Sequence, residues 1–391
     1  MKLSRKQEQS IAVFGESGSG KTVLLSSFYG AAQEPGYAKD NLFHLIADEA
    51  GQGARLHRNY LGMRDSARVP MPNRFAATSY GFSLKFRTDG NARVARARPF
   101  DAMRLVWHDY PGEWFDGRPD SDIEAERRVD TFRSLLGADV ALILIDGQKL
   151  LDNAGEEERY LRHVMSNFKN TLIGLRDDLL DGGKPLVEFP RIWIFALSKS
   201  DLLPDLDVFA FRDLLIEKAG PDIDELRDVL GTLVEGKEAL SVGEDFTLLS
   251  SAKFGEERIE LGKRVGVDLI LPIAAMLPVQ RHLRWADGQH LPRKVAEQLV
   301  ADVKPLVGVV LGGAALLAQR LPPPFGPAVA FAIGLLSKET VDEALRLVGD
   351  RLKEANATAL AKHDYLRAAL TRFGMDLEKG EADRKLLRSQ R

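Results

Sequence analysis

The sequence predicts an α/β protein, a mostly parallel six-stranded sheet covered by helices and followed by an all-helical C-terminal region. Three observations carry that expectation. The first two thirds of the chain alternate short apolar runs with longer amphipathic ones, the pattern of βαβ units around a parallel sheet. Two of the runs, VALILI (140–145) and IWIFAL (192–197), are apolar from end to end, as strands covered on both faces are. After Lys253 strand signals fade and helical spacing dominates, which places a boundary near residue 260 and two domains at 1–260 and 261–391.

Taken in order, the expected strands are Ile11–Phe14, Gly81–Phe86, Met103–His108, Val140–Ile145, Arg191–Leu197 and Phe246–Leu249. Helical spacing falls on Glu124–Leu136, Glu156–Leu175 and Phe209–Lys218. Gly182-Gly183-Lys184-Pro185 marks a loop, and Pro190 breaks the chain just before a strand. Composition sets outer limits. Of 391 residues, 54 are Lys or Arg and 57 are Asp or Glu, a net charge of −3 that argues against a nucleic-acid coat. No cysteine is present, which removes disulfides, thiolate metal sites and thiol catalysis together. The N-terminal MKLSRKQEQS lacks the apolar stretch of a signal peptide, so a cytoplasmic protein is expected.

Chemistry concentrates at strand ends. Gly15-Glu16-Ser17-Gly18-Ser19-Gly20-Lys21-Thr22 fits G-x-x-x-x-G-K-[ST], directly after the strand IAVF and before the helical run TVLLSSFYG, whose Val23 is expected to join the loop at the nucleotide. Glycines permit backbone conformations closed to other residues, so successive N–H groups can turn inward on a phosphate. The helix adds the positive end of its dipole. Lys21 is expected on the β- and γ-phosphates and the Thr22 hydroxyl on Mg²⁺. Asp109-Tyr110-Pro111-Gly112 follows the strand MRLVWH and reads as D-x-x-G, with Asp109 serving the metal and the Gly112 N–H sensing a γ-phosphate. Ser198-Lys199-Ser200-Asp201 follows IWIFAL and is close to [NT]-K-x-D. The Asp201 carboxylate suits the guanine N1–H and 2-amino pair, which adenine lacks. Ser251-Ala252-Lys253 completes the series, with the Ala252 N–H placed for the guanine carbonyl.

With these four motifs in this order over residues 11–255, the chain resembles the Ras-like and translation-factor class of P-loop GTPases. The segment DYPGEW (Asp109–Trp114) is similar to the bacterial YcjX-like proteins and to GTPase modules of bacterial conflict systems. The resemblance implies Mg²⁺-dependent binding of GTP and GDP, and two switch segments ordered by the γ-phosphate. It places Glu113 where many relatives carry a water-orienting Gln, from which slow turnover is expected. It makes Thr78 the candidate switch threonine on Mg²⁺. Ser198 stands where Asn or Thr is usual, which weakens the tie between this loop and the phosphate loop. Arg74 and the cluster Arg93, Arg96 and Arg98 read as solvated loop residues, and His108 as a strand-end histidine packed beside the sheet. An ATP-binding or non-hydrolysing P-loop protein, and a dynamin-like membrane-associating one, are the alternatives.

Residues 305–337 hold two apolar arms of about 14 residues around Gln319-Arg320 and three prolines. Each arm would span ~21 Å as a helix, short of the ~30 Å hydrocarbon core. A hairpin buried on the protein or on another subunit is expected over one that dips into a membrane. A partner protein or self-association through 261–391, peripheral membrane contact and no nucleic acid complete the expectations.

Overall fold

The computed structural model describes residues 6–70, 78–86, 102–109, 121–255, 258–287, 291–310, 350–361 and 364–389. Its central sheet has eight strands in the order β10-β7-β6-β5-β1-β4-β3-β2. These are β1 (Lys6–Phe14), β2 (Phe43–Ala47), β3 (Thr78–Phe86), β4 (Ala102–Asp109), β5 (Val140–Asp146), β6 (Ile192–Ser198), β7 (Ser241–Leu248) and β10 (Leu386–Leu387). The short strands β8 (Lys253–Phe254) and β9 (Ile259–Glu260) form a separate antiparallel pair. The five strands from β7 to β4 run parallel, and β3, β2 and β10 add antiparallel edges.

All six expected strands are present, and the sheet exceeds the expected six by two. The additions escaped the sequence pattern for physical reasons. In β2 the residues FHLIA alternate buried and exposed over only five positions. The strand β10 is two residues long and gains its place through the sheet edge beside β7.

Helices cover both faces. On one face lie α4 (Asp122–Leu135), α6 (Glu157–Leu179) and α7 (Val208–Leu233), whose Phe132, Leu161, Phe168, Phe211 and Leu226 pack on Phe14, Trp193 and Phe195 of the sheet. Between α4 and α6 sits the short α5 (Gly147–Asp152). The opposite face carries α1 (Lys21–Ala31) and α3 (Ala50–Ser66), with α2 (Tyr37–Asn41) beside them. The same core takes in α8 (Ile270–Ala275), α9 (Leu277–Asp287), α10 (Arg293–Val310) and α12 (Tyr365–Ala382). Helix α11 (Asp350–Ala361) precedes α12. Helices α8, α9, α10 and α12 thus share the core of the sheet, and the chain then returns to it as β10. With helices on both faces, β5 and β6 are buried at every position, which is why their sequences are apolar up to the last residue of each, Asp146 and Ser198.

A fully buried ion pair joins this late region to the sheet. Arg281 of α9 donates to both carboxylate oxygens of Asp245 in β7 at 2.7 and 3.2 Å, and Ser241 Oγ and the Ser389 N–H complete the carboxylate. Buried charges persist only when paired and hydrogen-bonded in this way. Residues 305–310 of the apolar stretch continue α10, and 311–337 lie outside the described residues. Among the described residues, no helix is long and apolar enough to cross a membrane.

Candidate nucleotide-binding site

The site forms at the C-terminal ends of the parallel strands, where open α/β sheets bind ligands. The loop between β1 and α1 turns through two left-handed glycines, Gly18 (φ 81°) and Gly20 (φ 89°), conformations that few L-residues adopt. Gly15 is needed for a different reason. A Cβ there would stand 2.7 Å from Ser19 Oγ and 3.0 Å from Leu144 Cβ of β5. The Lys21 ammonium is buried and donates to the carbonyls of Gly15 (2.6 Å) and Glu16 (3.0 Å). Glu16 is buried and paired with Lys149, Ser17 is exposed, and Thr22 is the second residue of α1.

The base side comes from the ends of β6 and β7. A cavity of about 330 Å³ is lined by Gly18, Ser19, Gly20 and Val23 on one side and by Ser198, Lys199, Asp201 and Ser251 on the other. Two loops separated by some 180 residues therefore share one space. Lys199 adopts φ 53°, and its side chain passes beside Gly20. Its ammonium meets Asp146, at the end of β5, at 2.7 Å. The Asp201 carboxylate accepts from Ser250 Oγ at 2.6 Å and from the Phe254 N–H at 3.2 Å. A carboxylate offers about four lone-pair sites, so two acceptor positions remain for a ligand.

The serine that orients Asp201 is Ser250, one residue before the expected triplet. Ser251 lines the cavity, Ala252 is fully buried outside its lining, and Lys253 is exposed at the start of β8. The two serines are adjacent and alike in sequence, so register alone hid the assignment. Val69, Leu202, Leu249 and Phe254 give the cavity apolar walls that the motifs did not reveal.

On the side where a metal is expected, Asp109 ends β4, buried, in register with Val13 of β1 and with Thr78 of β3. That register brings Asp109 to the strand end from which the phosphate loop departs. Among the described residues no cluster of three or more His, Asp or Glu could hold a metal by itself. One hydroxyl and one carboxylate, completed by phosphate and water, is nevertheless the donor set magnesium takes in nucleotide sites. His108 sits between Ser79 (2.8 Å) and Ser134 (3.3 Å), and burial lowers its basicity. Gly112, Glu113, Arg74, Arg93, Arg96 and Arg98 lie outside the described residues, as does 110–114 of the DYPGEW segment.

A family model described as Double-GTPase 2 matches residues 9–210, more than half of the chain, and spans the phosphate loop, Asp109 and Ser198–Asp201. The chain belongs to the Double-GTPase 2 family. It is thereby a GTP-binding P-loop protein, as the four motifs implied. No curated protein matches this Double-GTPase 2 chain in sequence. Among solved structures, a putative nucleolar GTP-binding protein 1 from Plasmodium falciparum is 13% identical at a TM-score of 0.31, covering 78% of this chain and 97% of that one. The signal recognition particle receptor SRb-GTP/SRX complex from Chaetomium thermophilum is 16% identical at 0.30, covering 63% and 92%. Era from Aquifex aeolicus is 16% identical at 0.23, covering 73% and 69%. At these scores the assignment rests on the family match and on the site itself.

Proposed function

We propose that this Double-GTPase 2 protein binds GTP and GDP with Mg²⁺, hydrolyses GTP slowly, and acts as a nucleotide-dependent switch. The observation that carries the reading is the shared cavity, with phosphate-loop glycines on one wall and an oriented, incompletely satisfied Asp201 carboxylate on the other. Lys21 and the loop amides hold the phosphates, and the Gly112 N–H senses the γ-phosphate. Thr22, Asp109 and Thr78 hold the metal, which when bound neutralises charge on the phosphate oxygens. Asp201 reads guanine, Lys199 flanks the base, and Ser251 and its neighbours close the far side. Glu113 carries a charge where a neutral amide would orient water better, which supports slow turnover.

The region from 261 to 391, which shares the core of the sheet, is the proposed output and self-associates or engages a protein partner. Its contacts with elements that adjoin the site support this. The Lys385 carbonyl accepts from Leu248 N at the end of β7, and the Arg384 carbonyl accepts from Val208 N, where α7 follows the base loop. Both elements lead directly to groups around Asp201. Hydrolysis of GTP with Mg²⁺, compared between wild type and Glu113→Gln, tests the reading. A faster variant is expected, and an unchanged rate would remove Glu113 from the chemistry.

A further inference from the structure

Ser198 does not tie its loop to the phosphate loop. Its hydroxyl donates instead to the Ile145 carbonyl at 3.2 Å, inside the sheet. Three neighbouring contacts join the two loops by another route. At the end of β5, Asp146 pairs with Lys199 of the base loop at 2.7 Å. Three residues on, Lys149 pairs with Glu16 of the phosphate loop at 2.7 Å. Between them, a Cβ on Gly147 would stand 2.7 Å from the Ser198 carbonyl and 2.9 Å from that of Lys199, so only glycine lets this corner lie so close.

We infer that the corner Asp146–Lys149 is a positioning element that fixes the phosphate loop against the base loop, in place of a direct tie from Ser198. This rests on the nucleotide site proposed above and assigns the residues that hold its two halves in register. The carboxylates at stake are nearly inaccessible, with the side chains of Asp146 and Glu16 only 3% and 7% exposed. Their lysine partners are more open, at 28% and 39%, so the pairs are screened less than fully exposed ones. Both also have second anchors. Asp146 caps α5 by accepting from the Gln148 N–H at 2.9 Å. Glu16 belongs to the same peptide unit whose carbonyl receives the Lys21 ammonium. Tyr160 fills the space behind the corner, its hydroxyl accepting from the Asp146 N–H and its ring 5.9 Å from the Lys149 ammonium. Burial, and then the nearby Glu16 and Asp146 charges, hold that phenol firmly protonated.

The corner therefore behaves as a two-armed brace. Lys149 acts on the phosphate half, which every nucleotide uses. Asp146 acts on the base half, which only guanine exploits fully. The two arms should separate in a binding experiment with GDP and ADP in the presence of Mg²⁺. Lys149→Met should weaken both nucleotides together, by roughly tenfold, leaving their ratio unchanged. Asp146→Asn keeps a capping oxygen for α5 but loses the charge, and should lower the GDP-to-ADP preference by roughly tenfold. Lys149→Arg should bind as wild type. The reversed pair Glu16→Lys with Lys149→Glu should recover affinity that Lys149→Glu alone loses, a rescue that a general packing defect would not show.

Thermal unfolding of each variant accompanies the titrations. If Asp146→Asn does not fold, Gly147→Ala replaces it, since the added methyl pushes the corner off the base loop and predicts the same loss of preference. Lys21→Ala separates the brace from the nucleotide site. If it abolishes GDP binding while the corner variants stay within about twofold of wild type, the brace is overturned and the nucleotide site stands. If Lys21→Ala binds GDP normally, the site and the brace fall together.

Discussion

The two ends of the parallel strands gather charged groups in different ways. At the C-terminal ends, Lys199, Asp201, Glu16 and Lys149 are each engaged by a partner from another segment, and Lys21 by carbonyls of its own loop, around a cavity that the phosphate and base loops share. At the N-terminal ends, Asp139 just before β5 and Arg191 just before β6 face Asp302 of α10 across a second cavity, of about 260 Å³, with Glu188 and His282. There the carboxyl and imidazole titrations are strongly displaced. Burial first, and then Asp139, raises Asp302 to about 7. Burial raises Asp139 to about 6 and lowers His282 to about 3. Displaced titration is often taken as a mark of function, yet here it accompanies the end of the sheet where α/β proteins do not place ligands. The groups at the opposite end combine a glycine-rich loop, oriented donors and acceptors and strand-end position. Geometry, rather than displaced protonation, locates the site.

The contrast can be broken by substitution. Lys21→Ala removes a charge-assisted hydrogen bond to phosphate and should weaken GTP and GDP by about 3 kcal/mol, measured by calorimetric titration, with a small change in unfolding temperature. Asp245→Ala should do the reverse. It leaves Arg281 charged and buried, costing about 3 kcal/mol in urea unfolding, while the nucleotide affinity of the folded fraction is retained.

Asp302→Asn sharpens the comparison at the N-terminal end. The folded-state titration lies near 7 against an ordinary 3.8, so the folded chain binds more protons between those values. Stability from this group is present below about pH 4 and lost as pH rises through 7. The variant should therefore match wild type at pH 4 and exceed it by ~1–2 kcal/mol at pH 8, with unchanged nucleotide binding. Ser250→Ala should have the smallest effect, a guanine affinity loss of about 1 kcal/mol from a less firmly oriented Asp201, with adenine binding unaltered.

What could be read from sequence follows from how local each signal is. The phosphate loop is eight consecutive residues flanked by a strand and a helix, so its string and its structure coincide. The ends of β4 and β6 were visible because apolar runs give way to His108-Asp109 and to Ser198. The Asp146–Lys199 and Lys149–Glu16 pairs join residues 53 and 133 positions apart, and nothing periodic announces them. The return of the chain to the sheet at Leu386–Leu387 is likewise a tertiary event, set by the edge of β7 rather than by two leucines. Ser250 was hidden beside Ser251, since only the β7 register decides which hydroxyl faces Asp201.

In the proposed function, Asp201 reads guanine in the cavity shared with the phosphate loop. Titration of GTP, GDP, ATP and ADP with Mg²⁺ into wild type and Asp201→Ala tests it most directly. A guanine preference in the wild type that disappears in the variant, while phosphate-driven binding persists, is the predicted result. Equal binding of both bases by the wild type, or a preference untouched by the substitution, would contradict it.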